Sequence, residues 1–95
     1  MTMRSAAWDQ LSRCAGSLAS THTRELFARD PARFQSMSAQ ACGLVLDYSR
    51  QHVDAAAIAA LAALADATGL RAAIDAMYRG DPLNSSEGRS VLHVA

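Results

Sequence analysis

The stretch DAAAIAALAALADATG, residues 54–69, and its continuation LRAAIDAMYRG, residues 70–80, decide the fold class. Asp54 is a residue type that caps helix starts, and Gly69 one that tolerates the left-handed turn just past a helix end. Between them Ile58, Leu61, Leu64 and Ala65 recur at helical spacing. Leu70, Ile74, Met77 and Tyr78 repeat the i, i+4, i+7, i+8 pattern and stop at Gly80 and Pro82. Two helices packed as a hairpin are expected.

Working towards the N-terminus, Leu44, Leu46 and Tyr48 alternate with Val45 and Asp47, which predicts a strand over 44–49. A weaker run, 33–39, pairs with it as a β-hairpin across Gln40-Ala41-Cys42-Gly43. Residues 24–29 add one helical turn, which Asp30-Pro31 ends because a residue before proline is pushed out of the helical region. Trp8, Leu11, Ala15 and Leu18 share one face of a helix from about Ser5 to Leu18, with Ser5 as its N-cap. Towards the C-terminus a last helix is expected from Asn84 or Ser86, with Glu87 in its first turn. Its apolar stretch, Val91, Leu92, Val94 and Ala95, lacks a capping glycine or polar last turn, so the helix is expected to continue. The reading is mainly α with a small β-hairpin, residues 1–95 forming one unit without repeats or linkers.

Of the 48 hydrophobic residues, 21 are alanines, and Leu, Ile, Val and Phe number only 18 of 95. A chain this short buries about 60 to 65% of its unfolded surface at best, so a loosely filled core needing a partner surface is expected. Nine arginines, no lysines and nine acidic residues are scattered without a basic block, which gives nucleic-acid binding no support. The longest uncharged apolar run, 55–65, is well short of the roughly 20 residues of a membrane span. Cys14 and Cys42 follow no secretory signal and are expected as free buried thiols in a reducing cytoplasm.

Few residues suggest chemistry. His22, His52 and His93 have no second ligand at the spacing that builds a metal site on a helix. His93 is read as a core or interface histidine rather than a proton-transfer group. Asp47 is open to three readings: a buried carboxylate of raised pKa, a solvent-facing one, or a partner of Arg50. The five glycines are isolated and form no phosphate loop. Asn84-Ser85-Ser86 matches a glycosylation acceptor but is read as a helix start. Arg50 and Arg89 are expected to be structural cations.

Three segments carry a resemblance. LFARDPARF, residues 26–34, resembles the Leu-Phe-Ala-x-Asp-Pro-x-Arg-Phe stretch of the glucose-6-phosphate isomerase family. LVLDYSR, residues 44–50, is similar to its Leu-x-x-Asp-Tyr-Ser-Lys strand, with Arg50 for lysine. GDPLNSSEGRSVLHVA, residues 80–95, resembles Gly-Glu-x-Ile-Asn-x-Thr-Glu-x-Arg-Ala-Val-Leu-His-x-Ala, with Asp81, Leu83, Ser86 and Ser90 as mild departures. The resemblance implies the N-terminal part of an α/β, SIS-type sugar isomerase that interconverts glucose 6-phosphate and fructose 6-phosphate. Such an enzyme works through an enediol, without metal or cofactor, as a cytoplasmic homodimer. The family's base, ring-opening histidine, sugar-binding cations and phosphate-binding Ser/Thr cluster match nothing here, so no catalytic, cofactor-binding or metal residue is expected within residues 1–95. The expected partners are the rest of the isomerase polypeptide, a second subunit and the sugar phosphate. The competing reading is a free-standing helical interaction module using the Trp8/Leu11/Leu18 and Ile58/Leu61/Leu64 stripes.

Overall fold

The computed structural model describes residues 2–84 and 87–92. Helix α1 (Met3–Leu18) begins at Thr2, whose hydroxyl accepts the backbone N–H of Ser5 at 3.1 Å. Thr2 is therefore the N-cap expected of Ser5, and the helix starts earlier by most of a turn. Helix α2 (Thr23–Arg29) starts at His22, whose Nδ1 accepts the Arg24 N–H at 3.1 Å, and ends at Asp30.

Residues 33–39 are not a strand in their first half. Arg33–Ser36 forms the single helical turn α3. Asp30 explains it: Oδ1 accepts the Ala32 N–H and Oδ2 the Ser36 hydroxyl, each at 3.0 Å, while Pro31 presets a helical φ. The dipeptide that ends α2 thus also starts α3. Strand β1 (Ser38–Ala41) then pairs antiparallel with β2 (Leu44–Asp47) in the register Ser38↔Asp47, Ala39↔Leu46, Gln40↔Val45 and Ala41↔Leu44. The turn is only Cys42-Gly43, with φ of 53° and 76°. Two consecutive positive φ values match the twist of a two-residue hairpin turn.

Helix α4 (Ala55–Ala67) is capped by Asp54, whose Oδ1 accepts the Ala57 N–H at 2.8 Å. Thr68 holds a near-helical conformation and only Gly69, at φ 78°, departs from it. That single step cannot reverse the chain. Helix α5 (Leu70–Arg79) leaves α4 at a bend of 55°, so the expected helical hairpin does not form. Gly80, at φ 80°, ends α5 with the paired Gly80 N–H to Met77 and Asp81 N–H to Ala76 bonds of a Schellman closure.

The partner of α4 is α1. Met3 and Ala6 of α1 lie beside Asp66 and Ala67 of α4, so the two helices run antiparallel. Cys14, Leu18, Ala57 and Ala60 are buried in the core with Leu26 of α2, and Leu11 and Val53 pack at its edge. The covered faces match the expected ones in part: Leu18 and Leu11 of α1 are covered, but Ala57 and Ala60 are the buried residues of α4. Trp8 is 59% and Leu61 43% exposed, because the alanine face of α4 lets the backbones approach most closely and leaves bulkier side chains at the flanks. The Trp8/Leu11/Leu18 stripe of the interaction-module reading is therefore not an intact docking face, since Leu18 is already buried.

The expected last helix is also replaced among the described residues. Strand β3 (Pro82–Asn84) pairs antiparallel with β4 (Arg89–Ser90), Gly88 before β4 has φ 66°, and the Ser90 hydroxyl donates to the Gly80 carbonyl at 2.6 Å. His93, Val94 and Ala95 lie outside the described residues. The result is mainly helical with two small antiparallel sheets. Cys14 is buried, but Cys42 is exposed at the hairpin tip, contrary to expectation; both thiols are free.

Cys42 occupies a left-handed conformation that disfavours a side chain other than Asn, Asp or Gly. Cys42→Asn creates the Asn-Gly pair preferred in such turns and is expected to stabilise the chain by about 0.5 kcal/mol, read as a rise in urea midpoint with unchanged slope.

Candidate functional site

The most elaborate polar arrangement centres on Arg33, which is 2% exposed. Placing Arg33 at the start of α3 directs its side chain towards the segment that links β2 to α4. There the Gln51 N–H bonds the Tyr48 carbonyl at 3.1 Å and the Val53 N–H bonds the Gln51 carbonyl at 2.8 Å, so successive tight turns leave alternate carbonyls facing one side. The guanidinium fills that concavity. Its Nε donates to the Ser49 carbonyl at 2.7 Å, and one Nη donates to the carbonyls of Gln51 at 2.9 Å and Val53 at 2.7 Å. The Phe27 ring lies 5.4 Å from the guanidinium carbon. A planar, forked donor suits this set; an ammonium does not.

Asp47 holds the other side of the joint. Its Oδ1 accepts both the Ser49 hydroxyl, at 2.6 Å, and the Ser49 N–H, at 2.9 Å. These two bonds, with a smaller contribution from Arg50, lower its pKa from the usual 3.8. Of the three readings of Asp47, the buried carboxylate of raised pKa is thus excluded. It is an exposed turn-forming carboxylate that pins Ser49, and through Ser49 the first carbonyl of the Arg33 cage.

Beside this joint an open cleft of about 380 Å³ runs between α2, α3 and the start of α4, with Arg29, Asp30, Tyr48 and Asp54 along it. Its charged groups are already engaged. Asp30 builds α3, Asp54 caps α4, Arg29 faces Glu25 at 3.7 Å, and Arg33 is held by the three carbonyls. No pair of these groups is poised as acid and base.

His52 Nε2 lies 2.6 Å from the Thr21 carbonyl, tying the 48–53 segment to the loop before α2, while His22 caps that helix. His93 lies outside the described residues. Among the described residues no three His, Cys, Asp or Glu side chains converge as metal ligands. Arg89 stands 3.9 Å from Glu87, both largely exposed, and Arg50 acts on Asp47, so both arginines neighbour carboxylates. Sequence reasoning missed Arg33: composition makes it one arginine in nine. Its position three residues after Asp30, in the segment that carries the resemblance, was the available signal.

The sequence profile of phosphoglucose isomerase matches residues 47–95. The chain belongs to this isomerase family. It is 48% identical over 93 residues to the glucose-6-phosphate isomerase of Anaeromyxobacter sp. (strain K), covering 98% of this chain and 17% of that enzyme. The glucose-6-phosphate isomerases of Deinococcus radiodurans, at 48% over 89 residues, and Methylococcus capsulatus, at 45% over 89 residues, match 94% of this chain and 16% of their own lengths. The matched stretch is the N-terminal part of those enzymes, and the chain spans about one-sixth of the curated relatives' length.

Arg33→Lys is expected to destabilise the chain by about 2 to 4 kcal/mol, close to the effect of Arg33→Ala, because a single ammonium cannot reproduce the forked geometry that reaches all three carbonyls. Loss of the cooperative urea transition followed by circular dichroism at 25 °C for both variants checks this; a lysine variant as stable as the parent contradicts it. Asp47 gives a pH prediction. Its folded pKa lies below its unfolded value, so its stabilisation is present above about pH 3.8 and fades as pH falls through the folded value. A carbon-detected NMR titration should place the Asp47 midpoint below 3.8, and Asp47→Ala should remove this contribution to the acid transition.

Proposed function

We propose that residues 1–95 act as one unit, the N-terminal helical segment of a glucose-6-phosphate isomerase that interconverts glucose 6-phosphate and fructose 6-phosphate. The observation that carries this reading is the 48% identity over 98% of the chain to an enzyme of that name. In this reading the rest of the polypeptide forms SIS-type α/β sugar-binding domains, the enzyme is a cytoplasmic homodimer, and neither nucleic acid nor a membrane is a partner. No single described helix is long and apolar enough to cross a membrane, although α4 and α5 pass that test as a bent pair.

The segment's own role is scaffolding. Aldose–ketose isomerisation needs a carboxylate positioned at C1 and C2 of the opened sugar and cations on its phosphate. The polar side chains around the cleft instead cap helices, close turns or fill the carbonyl cage, which supports a site-residue set that is empty within this chain.

The chain alone is therefore expected to show no turnover of fructose 6-phosphate in a dehydrogenase-coupled assay. A chimera in which it replaces the matched stretch of the Anaeromyxobacter enzyme should retain activity within about tenfold of the parent. Turnover by the 95-residue chain, or a folded but inactive chimera, contradicts the proposal.

A further inference from the structure

The fold leaves far more surface open than its size requires. A folded protein of 10.1 kDa exposes about 5,300 Å², whereas this chain exposes 7246 Å². Its radius of gyration is 16.9 Å, against about 12 Å for a compact domain of this length. The excess of about 1,900 Å² is more than twice the roughly 800 Å² that one partner contributes to a standard interface.

The β1–β2 ribbon carries part of this open apolar surface. Side chains of paired residues share a face, so the register puts Ala39, Ala41, Leu44 and Leu46 on one side and Ser38, Gln40, Val45 and Asp47 on the other. The first face is wholly apolar, yet Leu44 is 74% and Leu46 64% exposed. At the base, the Tyr48 N–H to Met37 carbonyl bond and the Arg33 cage fix the ribbon's direction. Beyond that base the strands pack mainly on each other. A two-stranded ribbon is marginal without a covering layer.

We infer that the Ala39/Ala41/Leu44/Leu46 face is a docking arm covered by the isomerase polypeptide that the relatives carry beyond the matched stretch. This rests on the functional reading above. Roughly five-sixths of the Anaeromyxobacter enzyme lies outside the match, which is ample chain to cover the open area. A second copy of the present chain fits less well. It is 17 Å thick in its smallest dimension, and the exposed apolar residues are split between the ribbon and the Leu70, Ile74, Tyr78 stripe of α5.

Thiol accessibility tests this in the isolated chain and in the full-length chimera. With Cys42→Ser as background, Leu46→Cys and Val45→Cys are treated with N-ethylmaleimide, and each site is followed by peptide mass spectrometry. Both should react readily in the isolated chain. In the chimera Leu46→Cys should slow by at least about thirtyfold, and by more than Val45→Cys, because it reacts only through local opening. Hydrogen exchange over residues 38–47 of the unsubstituted chimera supplies the same readout should Leu46→Cys fail to fold. A Leu46→Cys equally reactive in both settings overturns the inference. So does protection in the isolated chain that rises with its concentration, which identifies a second copy as the occupant. An active chimera with Leu46→Cys still reactive defeats the docking arm while the functional reading stands. Protection in a chimera that isomerises nothing supports the arm and defeats the functional reading.

Discussion

A single buried cation ties two separate stretches of chain together. The Arg33 guanidinium joins α3 to the carbonyls of residues 49, 51 and 53, and so fixes the route from the end of β2 to the start of α4. A charge in that position has given up most of its water, a cost that only strong, well-directed acceptors offset. Three backbone carbonyls aligned by tight turns supply them, and the Phe27 face adds a favourable contact. The dependence runs both ways. Without the cation the buried Ser49 carbonyl would be left with unmet hydrogen-bonding capacity, and the turns that align the three carbonyls would lose the donor that gathers them.

From that joint α4 is launched towards α1, and the alanines of α4 set how closely the two helices pack. Ala57 and Ala60 permit close approach to Cys14 and Leu18, which makes a thin core from small side chains. Little area is buried per contact, so the main helical pair is compact while much of the chain's apolar surface stays outside it. Trp8, Leu61, Leu70, Leu44 and Leu46 are all exposed. An isolated domain so arranged would be weakly stable. As one layer of a larger isomerase polypeptide the same arrangement is well suited, because the outer faces then have somewhere to pack.

The polar residues follow a similar logic. Asp30, Asp47 and Asp54 each accept a backbone N–H and start a helix or close a turn. Carboxylates used in this way define chain direction, and they are unsuited to exchange protons with a substrate while doing so. Family membership is established by sequence, and within this segment the structure shows these carboxylates engaged in caps and turns.

Local features were legible in the sequence because their causes are local. Asp54 as a cap, Gly69 and Gly80 as left-handed helix ends, Asp30-Pro31 as a break, and the alternating strand at 44–47 each depend on residues a few positions apart. The family resemblance was legible for another reason: it lies in the order of residues and requires no coordinates. Tertiary structure decided the rest. Which face of α4 is most covered was decided by its packing against α1: Ala57 and Ala60 are buried, whereas Ile58 and Leu64 of the expected stripe are half-buried and Leu61 is exposed. The turn at 33–36 prevailed over a strand because Asp30 bonds both Ala32 and Ser36, and weak β-propensity could not compete. Strands 82–84 and 89–90 pair where the cap pattern of Asn84 and Glu87 suggested the start of a helix, the second strand tied back to the end of α5 by Ser90. Arg33 is the clearest case. Its partners are 16 to 20 residues away along the chain, and no short window of sequence shows the three carbonyls that make a surface residue type into the buried joint between α3 and the start of α4.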